Sequence, residues 1–138
     1  APGFDFIYIN SCNERYNPSG AKTHTLASGE KSFDIIYGYS VFSHMTEEDT
    51  SEYLRLIKNS ITDEGKVFIT SFVEENVPDW SENPQGYGQL QWKGRLHCTR
   101  FNRHHFEGFI QAAGLAVDRF QYGRETDGQS LYVLRKLC

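Results

Sequence analysis

The side chains best suited to metal or acid–base chemistry in this sequence are its histidines and cysteines. Four of them lie close together, at His97, Cys98, His104 and His105. A structural zinc site needs four ligands, set in pairs at short regular spacing. Adjacent residues such as the first two chelate poorly, and neighbouring positions on a helix point in different directions. The spacing therefore predicts no metal site, and it predicts that His104 or His105 is a solvent-facing helix residue.

His44 stands apart from this group, because it comes shortly after an apolar run at 33–40. The charge of an imidazole changes near neutral pH, so a neutral histidine can accept a proton from a reacting group. Alternatively, His44 orders the loop ahead of Thr46, a residue type that caps helices. Both interpretations remain open at this stage.

The elements that would position these residues begin with five apolar runs that predict β-strands. They lie at 4–9, 33–40, 66–72, 115–122 and 130–135. The second run is nearly continuous in its apolarity, which is typical of a strand buried on both faces of a parallel sheet. The last two are close in sequence and are joined by a glycine-containing loop, so they should be antiparallel.

Two amphipathic helices separate these strands. Apolar residues at helical spacing predict helices over 47–61 and 103–113. Thr46 and Asn102 are the expected N-caps. The strand–helix–strand unit at 33–72 should be a parallel crossover of right-handed sense.

Long loops occupy 12–32 and 73–99. The first contains Ala-Ser-Gly-Glu at 27–30. It lacks the Gly-Lys-Ser/Thr ending of a phosphate-binding loop and has no helix after it, so that function is not predicted. The second contains both tryptophans, which could form the wall of a pocket or pack against the sheet.

Composition places the chain among globular domains. Its 138 residues are 38% hydrophobic and 14% aromatic, which suits a single domain over 1–138. The net charge of −4 disfavours a nucleic-acid partner, which a basic face would recognise. No apolar run reaches the roughly 18 residues of a membrane span. Three cysteines form no disulfide framework, and no leader-like segment opens the sequence, so a cytoplasmic location is expected.

Residues 32–45, Ser-Phe-Asp-Ile-Ile-Tyr-Gly-Tyr-Ser-Val-Phe-Ser-His-Met, resemble the fourth strand of class I S-adenosylmethionine (SAM)-dependent methyltransferases and the loop after it. The helix that follows, the turn Asp-Glu-Gly at 63–65 and the strand after it resemble the next helix and the fifth strand. The family turn usually reads Pro-Gly-Gly, of which only the last glycine is kept here. Segments 112–115 and 130–136 resemble the entry to strand six and strand seven. The resemblance, over about three quarters of the chain, implies an α/β fold with a partial Rossmann-like sheet, mostly parallel with a C-terminal antiparallel strand pair.

The sequence also departs from this family. It contains neither the Gly-rich turn that holds the methionine part of the cofactor nor the second strand with its ribose-binding acidic residue, so it resembles a truncated domain. Segment 3–10 is similar to the third strand. Without strands one and two, the fourth strand has an open edge and the third has no neighbour. Segment 4–10 could pair with 33–40 or with a second copy, or a companion polypeptide could supply the missing half; a homodimer or companion segment at this edge is therefore expected.

The resemblance implies a cofactor site at the carboxyl ends of the strands. Asn10 and Ser11 are expected near the adenine, although both also favour turns. Tyr37 and Gly38 are expected to contact the cofactor, with packing against a helix as the alternative for Gly38.

The resemblance also implies an acceptor site. His44 would face the methyl-transfer cleft and accept a proton from the acceptor. Trp92 and His97 would lie in the substrate wall, or pack in a loop.

The expected function is therefore SAM-dependent methylation of a small molecule, with SAM as the cofactor. Whether SAM binds this chain alone or only together with the missing half stays open at this stage. The alternative is a non-catalytic methyltransferase-like scaffold or dimerisation module that has lost cofactor binding. A third interpretation, a different Rossmann-like nucleotide-binding protein, predicts an anion at the helix start near Thr46 or Asn102.

Overall fold

The computed structural model describes residues 3–4, 6–22, 32–87 and 90–137. From residue 33 onward, the described chain forms strands and two α-helices. They are β1 (Phe33–Gly38), α1 (Glu47–Ser60), β2 (Ile61–Glu74), β3 (Trp80–Glu82), β4 (Thr99–Asn102), α2 (Arg103–Ala112), β5 (Leu115–Gln121) and β6 (Ser130–Lys136). Single 3-10 turns occur at Phe42–His44 and Thr126–Gly128. The expected α/β class is confirmed.

β2 is the central strand of the sheet. It pairs in parallel with β1 and, at its carboxyl end, with β4. Along its other edge, β2 is antiparallel to β6. β6 is in turn antiparallel to β5. The expected antiparallel C-terminal pair is therefore confirmed, and β1, β2 and β5 run in one direction, so their carboxyl ends lie at one end of the sheet.

The unit β1–α1–β2 is the predicted parallel crossover. Tyr37 pairs with Phe68 and Gly38 with Ile69, which brings the end of β1 beside the second half of β2. The expected turn at 63–65 is instead an irregular stretch inside β2, where the register passes from Phe33–Ile61 to Ile35–Lys66. A Cβ atom at Gly65 would lie 2.6 Å from the Ile61 side chain, so a larger residue there would force this buried side chain to move.

The expectation that β1 is buried on both faces is wrong. Phe33, Ile35 and Tyr37 are 39%, 67% and 66% exposed. Among the described residues β1 pairs only with β2, so one edge of the strand is open. A continuous run of apolar residues indicates a strand, but it does not show whether other elements pack over that strand.

The predicted strand at 4–9 is also wrong. Residue 4 and residues 6–10 form no strand, and Phe4, Phe6 and Tyr8 are 71%, 90% and 80% exposed. A strand needs a hydrogen-bonding neighbour, and in the described part of the chain none pairs with this segment. The interpretation in which it pairs directly with β1 is therefore not realised.

The segment 73–99 was expected to be a loop throughout, but it contains β3 and leads into β4. These strands are short and antiparallel, with Trp80 opposite Phe101. Runs of three or four residues with mixed polarity give almost no sequence signal. The 27–30 motif lies outside the described residues.

Both helices begin at their predicted N-caps and contribute to one core. Thr46 forms a capping box with Asp49, and the Asn102 side chain accepts bonds from the His104 and His105 amides. The fully buried core members from the helices and strands are Leu54, Ile61, Val67, Ile69, Phe101, Phe106, Ile110, Leu115, Tyr132 and Leu134. In the described ranges, no helix is both long and apolar enough to cross a bilayer.

Candidate functional site

The turn that follows β1 carries His44, and side chains from distant elements hold it. The Phe42 carbonyl accepts from Thr99 Oγ1 at 3.2 Å, and the His44 carbonyl accepts from Asn13 Nδ2 at 3.0 Å. The Met45 carbonyl accepts from Trp80 Nε1 at 3.3 Å. Buried carbonyls without such partners would be costly, so these contacts fix the path of the turn.

The backbone at Ser40 is strained. Its φ angle is 55°, in the left-handed region, which costs a non-glycine residue about 1–2 kcal/mol. Its amide donates to Thr70 Oγ1 at 2.8 Å, and its carbonyl accepts from Ser43 Oγ at 3.2 Å. The surrounding bonds therefore over-determine a conformation that the chain would otherwise avoid.

The His44 imidazole is half-buried and held in one orientation. Its Nδ1 lies 3.1 Å from the Leu96 carbonyl oxygen. A carbonyl can only accept, so Nδ1 carries the hydrogen in the neutral ring and the lone pair is on Nε2. Burial lowers the pKa of His44 from its usual 6.5; the Leu96 carbonyl opposes this shift, and the charge of Arg15 adds to it. His44 is therefore neutral at pH 7.

A cleft of about 280 Å³ adjoins the His44 ring. Tyr16 meets the imidazole edge to face, with ring centroids 5.4 Å apart. The cleft is lined by Asn13, Tyr16, Ser40, Val41, His44, Met45 and Tyr53. A neutral imidazole beside a small, largely apolar cleft can receive a proton from a molecule bound there.

Glu82 is a residue that sequence reasoning missed. Its carboxylate accepts from the Leu96 amide at 2.6 Å and from Arg95 Nε at 3.0 Å. Leu96 is fully buried with a φ of 49°, and its carbonyl binds His44. Glu82 thus fixes the peptide that orients the histidine, a role for which its sequence neighbourhood gives no signal.

The two residues expected in the substrate wall lie in one aromatic cluster. The Trp92 and His97 rings are 5.5 Å apart, and Trp92 also meets Phe72 and Tyr87 edge to face. The Trp92 indole donates to the Pro84 carbonyl at 2.7 Å. His97 directly follows Leu96, whose carbonyl binds His44, so one peptide links the cluster to the His44 turn.

The expected adenine-binding residues lie in a loop closed on itself. Asn10 is exposed, and its Oδ1 accepts from Asn17 Nδ2 at 3.1 Å and from the Tyr8 hydroxyl at 3.3 Å. Ser11 is buried, and its carbonyl accepts from the same Asn17 amide at 3.0 Å. Gly20 is required at this point, because a Cβ atom would lie 2.5 Å from the Ser11 carbonyl oxygen.

Tyr37 and Gly38 end β1, as expected. The Tyr37 ring is exposed and stacks on Tyr39, with centroids 5.9 Å apart. The Tyr39 hydroxyl bonds Thr126 in the loop before β6. A Cβ atom at Gly38 would make only ordinary contacts, 3.5 Å from Ile69. Packing therefore does not require glycine at this position.

The described histidines and cysteines outside the His44 turn lie in different surroundings. No group of three or more His, Cys, Asp or Glu side chains suited to a metal occurs in the described part of the chain. His105 Nε2 lies 2.7 Å from Glu47 Oε1, and His104 is exposed on α2. Cys98 is buried, and this burial raises the pKa of its thiol to about 12.

Several polar groups at which a nucleotide or another anion could bind are engaged within the chain itself. Asn10 Oδ1 is engaged inside its own loop. The helix starts at Thr46 and Asn102 are likewise occupied by their own capping side chains. The sequence offers no Gly-rich turn and no second strand ending in an acidic residue.

No family model and no curated protein sequence matches this chain. Solved structures do match its fold. Mitomycin 7-O-methyltransferase MmcR aligns with a TM-score of 0.59 at 13% identity, over 77% of this chain and 30% of that one. An O-methyltransferase from a trans-AT PKS multienzyme of Brevibacillus brevis, in complex with S-adenosyl-L-homocysteine, aligns with a TM-score of 0.55 at 12% identity, over 78% of this chain and 45% of that one.

A structure described as a pericyclic reaction enzyme aligns with a TM-score of 0.52 at 13% identity, over 77% of this chain and 27% of that one. The chain therefore spans less than half the length of each of these proteins. At such identities the likeness concerns the fold, and proteins of this fold include more than one chemistry. What the chain shares with them is the methyltransferase-like α/β sheet.

Proposed function

We propose that this chain supplies the acceptor side of a class I SAM-dependent methyltransferase domain that methylates a small molecule. The observation that carries the proposal is the neutral His44, fixed through Nδ1 on the Leu96 carbonyl and open to a cleft at the carboxyl end of β1. The O-methyltransferases of similar fold support the reaction class.

The chemistry of this chain's own residues is binding and proton transfer. The cleft holds the acceptor, and His44 Nε2 takes the proton that the nucleophilic atom loses. SAM, when bound, supplies the methyl group. Its methionine and ribose contacts must come from elements that this sequence lacks, and the open edge of β1 is where a further strand would pair. Asn10, Ser11, Tyr37 and Gly38 stay proposed cofactor contacts.

The test measures methyl transfer and cofactor binding in the natural polypeptide that carries these residues. S-adenosyl-L-homocysteine is titrated by calorimetry, and transfer from SAM is followed with a set of small hydroxyl and amine acceptors. His44→Gln should leave binding unchanged and slow transfer by roughly 10²-fold. The rate should rise with pH through a pKa below 6.5, because His44 acts in its neutral form.

His104→Gln is the matched control, because that histidine is exposed on α2 and should not affect transfer. If no S-adenosyl-L-homocysteine binds at millimolar concentration, the methyltransferase proposal is wrong and the non-catalytic scaffold is favoured. Equal transfer rates in His44→Gln and wild type would remove the role of His44 alone.

A further inference from the structure

A closed ring of buried and half-buried hydrogen bonds lies where β1 ends beside β2 and β6. The Ser40 amide donates to Thr70 Oγ1 at 2.8 Å, and Thr70 Oγ1 donates to Gln129 Oε1 at 2.9 Å. Gln129 Nε2 donates to Ser40 Oγ at 2.9 Å. Thr70 and Gln129 are 1% and 2% exposed. No motif marks these three residues, which lie far apart in the sequence.

The hydrogen bonds of this ring run in one direction in the structure. A backbone amide can only donate, so the Thr70 hydroxyl accepts from Ser40 and gives its own hydrogen to Gln129. The amide nitrogen of Gln129 must then face Ser40 Oγ. A buried amide that lost these partners would pay its full desolvation cost, so each member holds the other two in place.

The ring acts on the turn that carries His44. It includes both the amide and the hydroxyl of Ser40, the residue whose φ angle of 55° lies in the left-handed region. Ser43, the neighbour of His44, donates to the Ser40 carbonyl at 3.2 Å, and the His44 amide donates to the Val41 carbonyl at 3.2 Å. Side chains at β2 and before β6 therefore fix the start of the turn, while the Leu96 carbonyl holds the His44 imidazole at its end.

We propose that Gln129, acting through Thr70 and Ser40, is a positioning residue that holds the His44 imidazole in its Nδ1–H tautomer. Its relevance to catalysis rests on the proposed function of His44 as the proton acceptor. Gln129 lies in the loop between β5 and β6, on the other side of β2 from β1. That loop is thereby part of the acceptor site.

The test determines the His44 tautomer from the ¹⁵N chemical shifts of its ring nitrogens, at a pH where the ring is neutral. Thr70→Val and Gln129→Met keep the side-chain volume but break the hydrogen-bond ring of Ser40, Thr70 and Gln129. Both should raise the fraction of the Nε2–H tautomer, and Thr70→Ser, which keeps the hydroxyl, should restore the wild-type shifts. Ser40→Gly removes the Gln129 acceptor and relieves the φ strain, so it gives a second disruption that is expected to fold.

Ser130→Ala is the matched control. Ser130 is fully buried at the same loop, and its hydroxyl accepts from the Gly123 amide at 3.0 Å, outside the ring. It should lower stability without changing the tautomer. The proposal is overturned if Thr70→Val, Gln129→Met and Ser40→Gly all keep the wild-type ¹⁵N chemical shifts of the His44 imidazole. This readout needs no methyl transfer, so the failure of the proposed function would leave it unaffected.

Discussion

At the scale of single residues, the state of His44 depends on groups far away in the sequence. Leu96 lies 52 residues from His44, and its carbonyl determines which ring nitrogen keeps a lone pair. Glu82 holds the amide of Leu96. On this side of the imidazole, one buried peptide and the carboxylate that binds it therefore orient the candidate base.

Glu82→Gln should destabilise the protein at pH 7 by about 1 kcal/mol, since a charged acceptor binds the Leu96 amide more strongly than a neutral one. The bond from the Leu96 amide, with a smaller contribution from Arg95, lowers the pKa of Glu82 below its usual 4.5. A lowered pKa gives stability that is full above pH 4.5 and is lost as pH falls through the folded value.

The free energies of unfolding of wild type and Glu82→Gln, measured in urea, should therefore converge below pH 4.5. Glu64→Gln is the control, because Glu64 is exposed. A difference between wild type and Glu82→Gln that stays constant from pH 7 to pH 3 would contradict this assignment.

At the scale of elements, the start of α1 is defined by its capping box. Thr46 Oγ1 accepts from the Asp49 amide at 3.1 Å, and the Asp49 carboxylate accepts from the Thr46 amide at 3.4 Å. Three acidic residues in the first turn also suit the positive end of the helix. This helix leads directly into β2, so its first turn sets where the crossover begins.

Thr46→Ala should lower the free energy of unfolding by about 1 kcal/mol, because the orphan amide loses its acceptor. Urea denaturation measures this change. Thr46→Ser keeps the hydroxyl and should be close to wild type, and Ser51→Ala, on the exposed face of α1, should be neutral. Equal stability of Thr46→Ala and Thr46→Ser would show that the cap contributes nothing.

At the level of the whole molecule, the edge strands β1 and β5 differ in which side chains they expose to water. β1 exposes three large apolar side chains, Phe33, Ile35 and Tyr37. β5 exposes the smaller Val117 beside charged residues, which protect an edge from pairing. The unprotected edge is therefore the one at β1.

In a solution that contains only this chain, the partner available to that edge is a second copy. We expect concentration-dependent association in sedimentation velocity, and Ile35→Lys should weaken it without loss of stability, because this side chain is 67% exposed. Val117→Lys, on the opposite edge, should leave association unchanged. A monomer at all concentrations, or equal effects of both variants, would argue against pairing through β1.

Features that depend on near neighbours along the chain can be predicted from the amino-acid sequence. Periodicity and the caps Thr46 and Asn102 place both helices to within a residue at each end. Element order predicted the parallel crossover and the antiparallel C-terminal pair. These features follow from interactions over a few residues, whose patterns are visible in the printed chain.

Which strand is covered and which polar groups form hydrogen bonds depends on how the elements pack in three dimensions. The apolar pattern of β1 is the same whether the strand is buried or open, and segment 4–9 has strand-forming residues but no partner among those described. The bonds from Gln129 to Thr70 and Ser40 join residues 59 and 89 apart. No local pattern encodes such contacts, because they are created by the pairing of β1, β2 and β6, and this pairing makes a buried glutamine part of the site.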